Sequence, residues 1–359
     1  MRHTLQMWLI ALLLTGGIIV LTPAHAESLR EQITFREAVQ KALDTNPEIT
    51  AFKSEIHKAK ARQHQAGLFP NPELAFELEG FGGSGPFSGT ENAERTLSLQ
   101  QEILLGGKIK KRRRIASREL ENIEWRLKSL EQDIRNDVAH AFINLLGSQN
   151  ALALQQDLVK LSEQVYETVK LKVDAGKVSA IEAIKADIEV KNNRQALQTL
   201  ERRMKRSRKG LASFWGATVP DFSAVAGRLE KLPVLPDFEH LAAALRENPD
   251  IRRLDTETEY QRARLDLAMS ERIPDLTLSG SYRDVPETDD YAFVFEIAVP
   301  LKIFDRNQGN IEAARQSLKQ VDHHQAAIIN ARQRDLNAAF QDALALRDEI
   351  DALKQEIIP

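Results

Sequence analysis

The sequence predicts an α+β membrane protein made of a duplicated unit of long coiled-coil helices and β-hairpins. Three observations point there. A domain-sized unit is written twice, each copy contains two period-two segments joined by a polar loop, and each hairpin opens into a long heptad-like run.

The composition agrees. Hydrophobic residues make up 42% of the chain, charged residues 28% and aromatics only 6%, with a net charge of −3. That balance is globular and helix-rich, and it does not call for a polyanionic partner such as nucleic acid. There is no cysteine, which excludes disulfides, thiolate metal sites, a cysteine nucleophile and a lipid-modified N-terminal cysteine.

At the N-terminus, Arg2 and His3 precede an apolar run from Met7 to Leu21, followed by the small-x-small site Ala24-His25-Ala26. This reads as a secretory signal peptide over 1–26, with Glu27 the mature N-terminus. No later stretch reaches the ~20 apolar residues of a transmembrane helix.

A 202-residue offset places Asn46-Pro47-Glu48-Ile49 on Asn248-Pro249-Asp250-Ile251, Arg62 on Arg264 and Pro72 on Pro274. A 198-residue offset then aligns Leu120 with Leu318, Leu130 with Ile328 and Phe142 with Phe340. Both periods are too long for a solenoid repeat. The first unit is expected over 27–216 and the second over 238–359, joined by a linker at 217–237 marked by Pro220, Pro233 and Pro236.

Each unit is expected to run in the same order. Phe35, Ala38, Val39, Ala42 and Leu43 have amphipathic helical spacing. Asn-Pro-acid then restarts a helix with a capping side chain, a proline whose missing N–H costs nothing there, and a carboxylate at the positive end of the dipole. Leu74, Phe76 and Leu78 alternate with Ala75, Glu77 and Glu79, giving a hairpin at about 73–103 around a Gly/Ser-rich loop. Its counterpart lies at about 275–300, with Leu276, Leu278, Phe293, Phe295 and Ile297 on one face and Thr277, Ser279 and Ser281 on the other. A helical hairpin follows at about 108–216, in which Leu120, Ile123, Leu127, Leu130 and Ile134 form a coiled-coil seam and "VDAGKVS" makes the reversal. The second long helix is expected from about 308.

Four strands cannot close a barrel, and lipid does not tolerate an open sheet edge. The residues therefore favour strands pooled among subunits into one transmembrane barrel, with the helices projecting into the periplasm. They do not fix the number of subunits. The alternative is a soluble periplasmic coiled-coil adaptor of an export system. Its usual plan has one helical hairpin between β domains, unlike this duplicated chain.

Neither catalysis nor a cofactor finds support in the sequence. It holds no nucleophile–base–acid order, phosphate loop or paired carboxylates in a plausible pocket. His323 and His324 point about 100° apart on a helix and read as solvated surface rather than metal ligands. The basic run Lys108–Arg114 either lines an anionic ring of lipid headgroups or solvates the start of a helix just beyond the strands, and its placement favours the membrane–periplasm boundary.

The duplicated unit, "NPE"/"NPD", "EILLGGK" (102–108) and "VPLKIFDRNQGNIEAA" (299–314) together resemble the TolC-type outer-membrane efflux proteins. "LGGK" and "PLKIFDRNQGN" are most similar to the CzcC-like heavy-metal branch. The resemblance covers essentially the whole mature chain. It implies a homotrimer with a 12-stranded barrel in the outer membrane of a Gram-negative bacterium, continued by a periplasmic α-helical duct. It also implies a membrane-fusion adaptor and a proton-driven inner-membrane RND pump as partners, and heavy-metal cations as cargo. On this pattern Val173, Asp174, Ala175, Gly176, Lys177, Val178 and Ser179 form the docking tip. Asp174, Glu182 and Asp187 are then either a cation-selective constriction around the symmetry axis or isolated surface acids. A second tip and a last return helix would extend past Pro359, so the sequence is expected to be a fragment or a truncated gene product.

Overall fold

The computed structural model describes residues 30–229 and 233–356; the expected signal peptide and Glu27 lie outside the described residues. The chain begins with β1 (Arg30–Ile33) and α1 (Phe35–Thr45). Thr34 caps α1 in a reciprocal capping box with Glu37. Asn46 then starts α2 (Pro47–Gln65): its Oδ1 accepts the amides of Glu48 at 2.7 Å and Ile49 at 3.1 Å, while its Nδ2 donates to the Phe214 carbonyl.

The first hairpin is β2 (Glu73–Glu79) and β3 (Glu94–Ile103). It opens into α3 (Lys108–Asp174), whose 67 residues span about 100 Å. The chain returns along α4 (Ala180–Ser213) and enters β4 (Phe222–Val225). The second unit repeats the order with α5 (Phe238–Ala244), α6 (Pro249–Ser270), β5 (Leu276–Val285), β6 (Asp290–Ala298) and α7 (Gln308–Glu356). Asn248 caps α6 as Asn46 caps α2, with Oδ1 accepting the Asp250 amide at 2.9 Å.

The packed core sits halfway along α3. Ile134, Val138, Phe142, Leu145 and Leu146 meet Ala38 and Ala42 of α1, Leu211 and Ala212 of α4, Trp215 and Phe222. The two alanines are fully buried, and their small side chains let α1 lie close to α3. Phe35 meets Phe142 edge-on at 5.6 Å, and Phe238 meets Phe340 in the same way at 5.3 Å. One aromatic contact is thus built twice.

Two features depart from the sequence reading. The stretch read as a linker holds β4, which pairs in parallel with β1, so the described residues contain six strands rather than four. The Gln149 side chain bridges β4 to α3, donating to the Val225 carbonyl at 3.1 Å and accepting its amide at 2.7 Å. The basic run is also not uniformly solvated. Lys108 is buried to 1% exposure, for reasons given below.

Candidate functional site

The four hairpin strands form one antiparallel sheet in the order β2-β3-β5-β6. Its central pairing, β3 with β5, crosses between the two units, placing Leu99 opposite Gly280 and Gln101 opposite Leu278. Both outer strands, β2 and β6, keep one side unpaired among the described residues. Strands β3, β5 and β6 are 10, 10 and 9 residues long, the length of a tilted membrane-spanning strand.

Register sorts the side chains onto two unlike faces. One face carries Leu74, Phe76, Leu97, Leu99, Leu276, Leu278, Tyr282, Phe293, Phe295 and Ile297. These are not covered: Phe293 is 79% exposed, Phe295 71%, Leu74 70% and Phe76 66%. The only charges on this face, Arg95 and Asp284, pair with each other at 3.4 Å near the loop end. Tyr282, Tyr291 and Phe293 cluster at that end, with ring centroids 5.7–6.1 Å apart. An apolar band ending in an aromatic cluster is the pattern of a lipid-facing barrel wall. The dent over Gly280, about 460 Å³ between Leu99 and Phe295, has no polar side chain of its own beyond the Tyr282 hydroxyl and the backbone-flanking serines.

The opposite face carries Glu73, Glu77, Glu79, Glu94, Glu102, Asp290 and Glu296, against Arg283 as its one base. Arg283 approaches Glu94 at 3.6 Å. Thr277, Ser279 and Ser281 lie on this acidic face.

At the far end of α3 the chain reverses through Val173–Ser179. Gly176 has φ +67°, the left-handed conformation that a Cβ disfavours. Its amide donates to the Val173 carbonyl at 2.8 Å, and the Lys177 amide reaches the Lys172 carbonyl at 2.9 Å, the two bonds of a Schellman cap. Ser179 caps α4 by accepting the Ile181 amide. Asp174 is the last residue of α3 and does not act as a cap. Glu182 and Asp187 pair with Lys185 at 2.8 Å and Lys191 at 2.7 Å, and the Asp187 carboxylate holds the Lys191 ammonium above its usual pKa. Asp174 is exposed and has no ion pair among the described residues. Around the tip Leu171, Ile181, Ile184 and Ile188 are 51–70% exposed.

The feature that sequence reasoning missed is the junction between sheet and helices. Lys108 Nζ donates to the Ile273 carbonyl at 2.8 Å and to Asp275 Oδ2 at 2.7 Å, with Glu271 at 3.6 Å. Asp275 Oδ1 also accepts the Leu105 amide at 2.8 Å. The start of α3 in one unit is thereby fastened to the α6–β5 turn of the other. The only signal in the sequence is that Lys108 directly follows two glycines, Gly106 and Gly107, both with positive φ. At the start of α7 Asn307, with φ +59°, makes a contact inside the second unit, its Nδ2 donating to the Ala268 carbonyl of α6 at 2.8 Å. His323 and His324 are exposed on α7.

Comparison with known proteins decides the family. The profile described as "Outer membrane efflux protein" matches residues 38–217 and 241–358. The chain belongs to the outer membrane efflux protein family. It is 30% identical over 349 residues to the cobalt-zinc-cadmium resistance protein CzcC of Cupriavidus metallidurans, covering 96% of this chain and 80% of that protein. It is 23% identical to the nickel and cobalt resistance protein CnrC of the same organism, over 96% of this chain and 81% of the relative. Among solved structures, a membrane protein from Pseudomonas aeruginosa superposes with a TM-score of 0.75 at 19% identity, covering 92% of this chain and 80% of that one.

As a family member the chain is an outer-membrane efflux component, and the soluble-adaptor alternative falls away. The family is one of efflux proteins, not of enzymes. No helix among the described residues is long and apolar enough to cross a membrane.

Proposed function

We propose that this chain is the outer-membrane exit duct of a tripartite RND-type efflux system that exports heavy-metal cations from a Gram-negative bacterium. The observation that carries the reading is the sheet itself, apolar and uncovered on one face, acidic on the other, and unpaired at both edges. Joining β6 of one copy to β2 of the next removes both edges and turns the apolar face to lipid. Three copies give the 12-stranded barrel. The lumen then carries the seven acids of each copy against one arginine, a field that concentrates cations and repels anions. The names of the relatives CzcC and CnrC support metal cations as the cargo.

The helices would extend the duct into the periplasm. Val173–Ser179 would meet a membrane-fusion adaptor through the uncovered Ile181, Ile184 and Ile188, with repetition around the ring multiplying a weak contact. An inner-membrane pump would complete the path. Of the tip acids, Asp174 is left to act on a passing cation, because lysines hold Glu182 and Asp187.

The reading is tested in a host that retains the adaptor and pump but lacks its own duct. Expressed with a return-helix segment from a relative appended, the chain is expected to restore resistance to cobalt, zinc or cadmium, and Gly176→Val to abolish both the resistance and the crosslink to the adaptor while leaving the protein in the outer membrane. Unchanged metal sensitivity with that extended chain correctly inserted would refute the cargo assignment.

A further inference from the structure

We infer that the foot of the sheet carries two built pockets for the phosphate group of a phospholipid in the membrane leaflet nearer the helices. The inference rests on reading the sheet as membrane-spanning.

The first pocket, about 320 Å³, lies between the end of α2 and the start of α3 and is lined by Lys60, Gln63, His64, Gly67, Leu68 and Arg113. The second, about 420 Å³, lies at the α6–β5 and β6–α7 turns and is lined by Met269, Arg272, Ile273, Lys302 and Arg306. Gly67 and Met269 occupy the same position in the 202-residue repeat, but the cations of the two pockets come from different positions of it.

Charge pairing around the pockets is selective. Lys108 holds Asp275, Arg112 approaches Glu271 at 3.8 Å, Arg114 reaches Asp266 at 3.4 Å, and Arg62 approaches Glu119 at 3.7 Å. Lys60, Arg113, Arg272, Lys302 and Arg306 have no carboxylate partner among the described residues. These five are the cations that line the two cavities. Glu119, Asp266, Glu271 and Asp275 are committed to other bases, and Asp305 beside the second pocket accepts the Asn307 amide at 2.8 Å. A concave site holding a guanidinium and an ammonium with no internal anion suits an oxyanion, and arginine suits phosphate best because its planar fork matches two oxygens.

Two further observations make the ligand a lipid. Apolar side chains stand uncovered beside each cationic cavity: Phe69 is 75% exposed and Leu68 47% at the first, Ile273 43% and Met269 41% at the second. A free phosphate has no use for them, whereas acyl chains do. The pockets also sit at headgroup depth, just before β2 begins at Glu73 and β5 at Leu276. Gln101, on the apolar face opposite Leu278, donates to the Pro70 carbonyl at 3.0 Å and so ties the first pocket's loop to the lipid side of the sheet.

The test is native mass spectrometry of the full chain, purified from membranes in mild detergent. It is titrated with phosphatidylglycerol, with diacylglycerol of the same acyl chains, and with inorganic phosphate. Phosphatidylglycerol should be retained about tenfold more strongly than diacylglycerol, at up to two molecules per chain. Arg113→Gln and the pair Arg272→Gln/Lys302→Gln should each remove one molecule, and Arg113→Lys should keep it. Gly67→Ile should empty the first pocket with every cation still present, and Arg62→Gln should change nothing. Equal retention of both lipids, or retention indifferent to Arg113→Gln and Gly67→Ile, overturns the proposal. Uptake of inorganic phosphate without phosphatidylglycerol also overturns it, by making the sites oxyanion sites of another kind. Loss of lipid selectivity in a chain that still exports metal counts against this inference alone, and failure to insert in the outer membrane counts against the reading beneath it.

Discussion

The helical core around the middle of α3 and the four-stranded sheet treat the same kinds of residue in opposite ways. In the core, Val138, Leu145 and Leu211 are fully buried and Phe222 is 1% exposed. In the sheet, Phe293 and Phe295 stand 79% and 71% exposed, while at the sheet's foot a lysine is the buried residue. Exposed apolar surface on this scale is unfavourable in water, and a contiguous band of it marks a partner surface. On the proposed reading the contrast marks a change of solvent, with the core sorted against water and the sheet against lipid on one side and a polar lumen on the other.

The largest effect expected on the water-sorted side is Leu145→Ala, which should cost about 4 kcal/mol through lost burial and the cavity left behind. Chemical denaturation of the detergent-solubilised protein checks this. A cost below about 1 kcal/mol would mean that the core is not the packed region described. Lys108→Met sharpens the comparison at the boundary. It strands Asp275, a partly buried carboxylate, and should cost about 3 kcal/mol. Arg112→Met, at an exposed pair of 3.8 Å, should cost under about 1 kcal/mol. The difference between the two melting temperatures is the readout, and equal shifts would remove the special role of the buried lysine.

Much of this was legible in the sequence because local periodicity carried it. Ile123 and Ile134 announced the buried seam of α3, and the Asn-Pro-acid triplets announced both capped helix starts. The alternation of Leu276, Leu278, Phe293, Phe295 and Ile297 implied that they share a face of the sheet, as the register has it, and Gly176 marked the turn. What stayed hidden depends on distant partners. The β1–β4 pair joins two four-residue strands with Gln32 opposite Ala224, too short to show a period and too far apart to suggest one another. Lys108 reads like its five basic neighbours until Asp275 and the Ile273 carbonyl are brought to it. The acidic face was half-visible in Glu73, Glu77 and Glu79. Its union with Asp290 and Glu296 needed the β3–β5 pairing that crosses between units. At the tip, the lysine partners of Glu182 and Asp187 lie within one helical turn, so that pairing was open to inspection from spacing alone.

The central claim is that the sheet has one face in lipid and one in water, and paired arginine substitutions test it most directly. Phe295 and Ser279 sit on neighbouring strands of the same sheet and on opposite faces. Each is replaced by Arg in turn, and folding into the outer membrane is followed by protease resistance and by reversible unfolding in lipid vesicles. The account predicts a cost of about 2–4 kcal/mol for Phe295→Arg and little for Ser279→Arg. Equal tolerance of arginine at the two positions would contradict it.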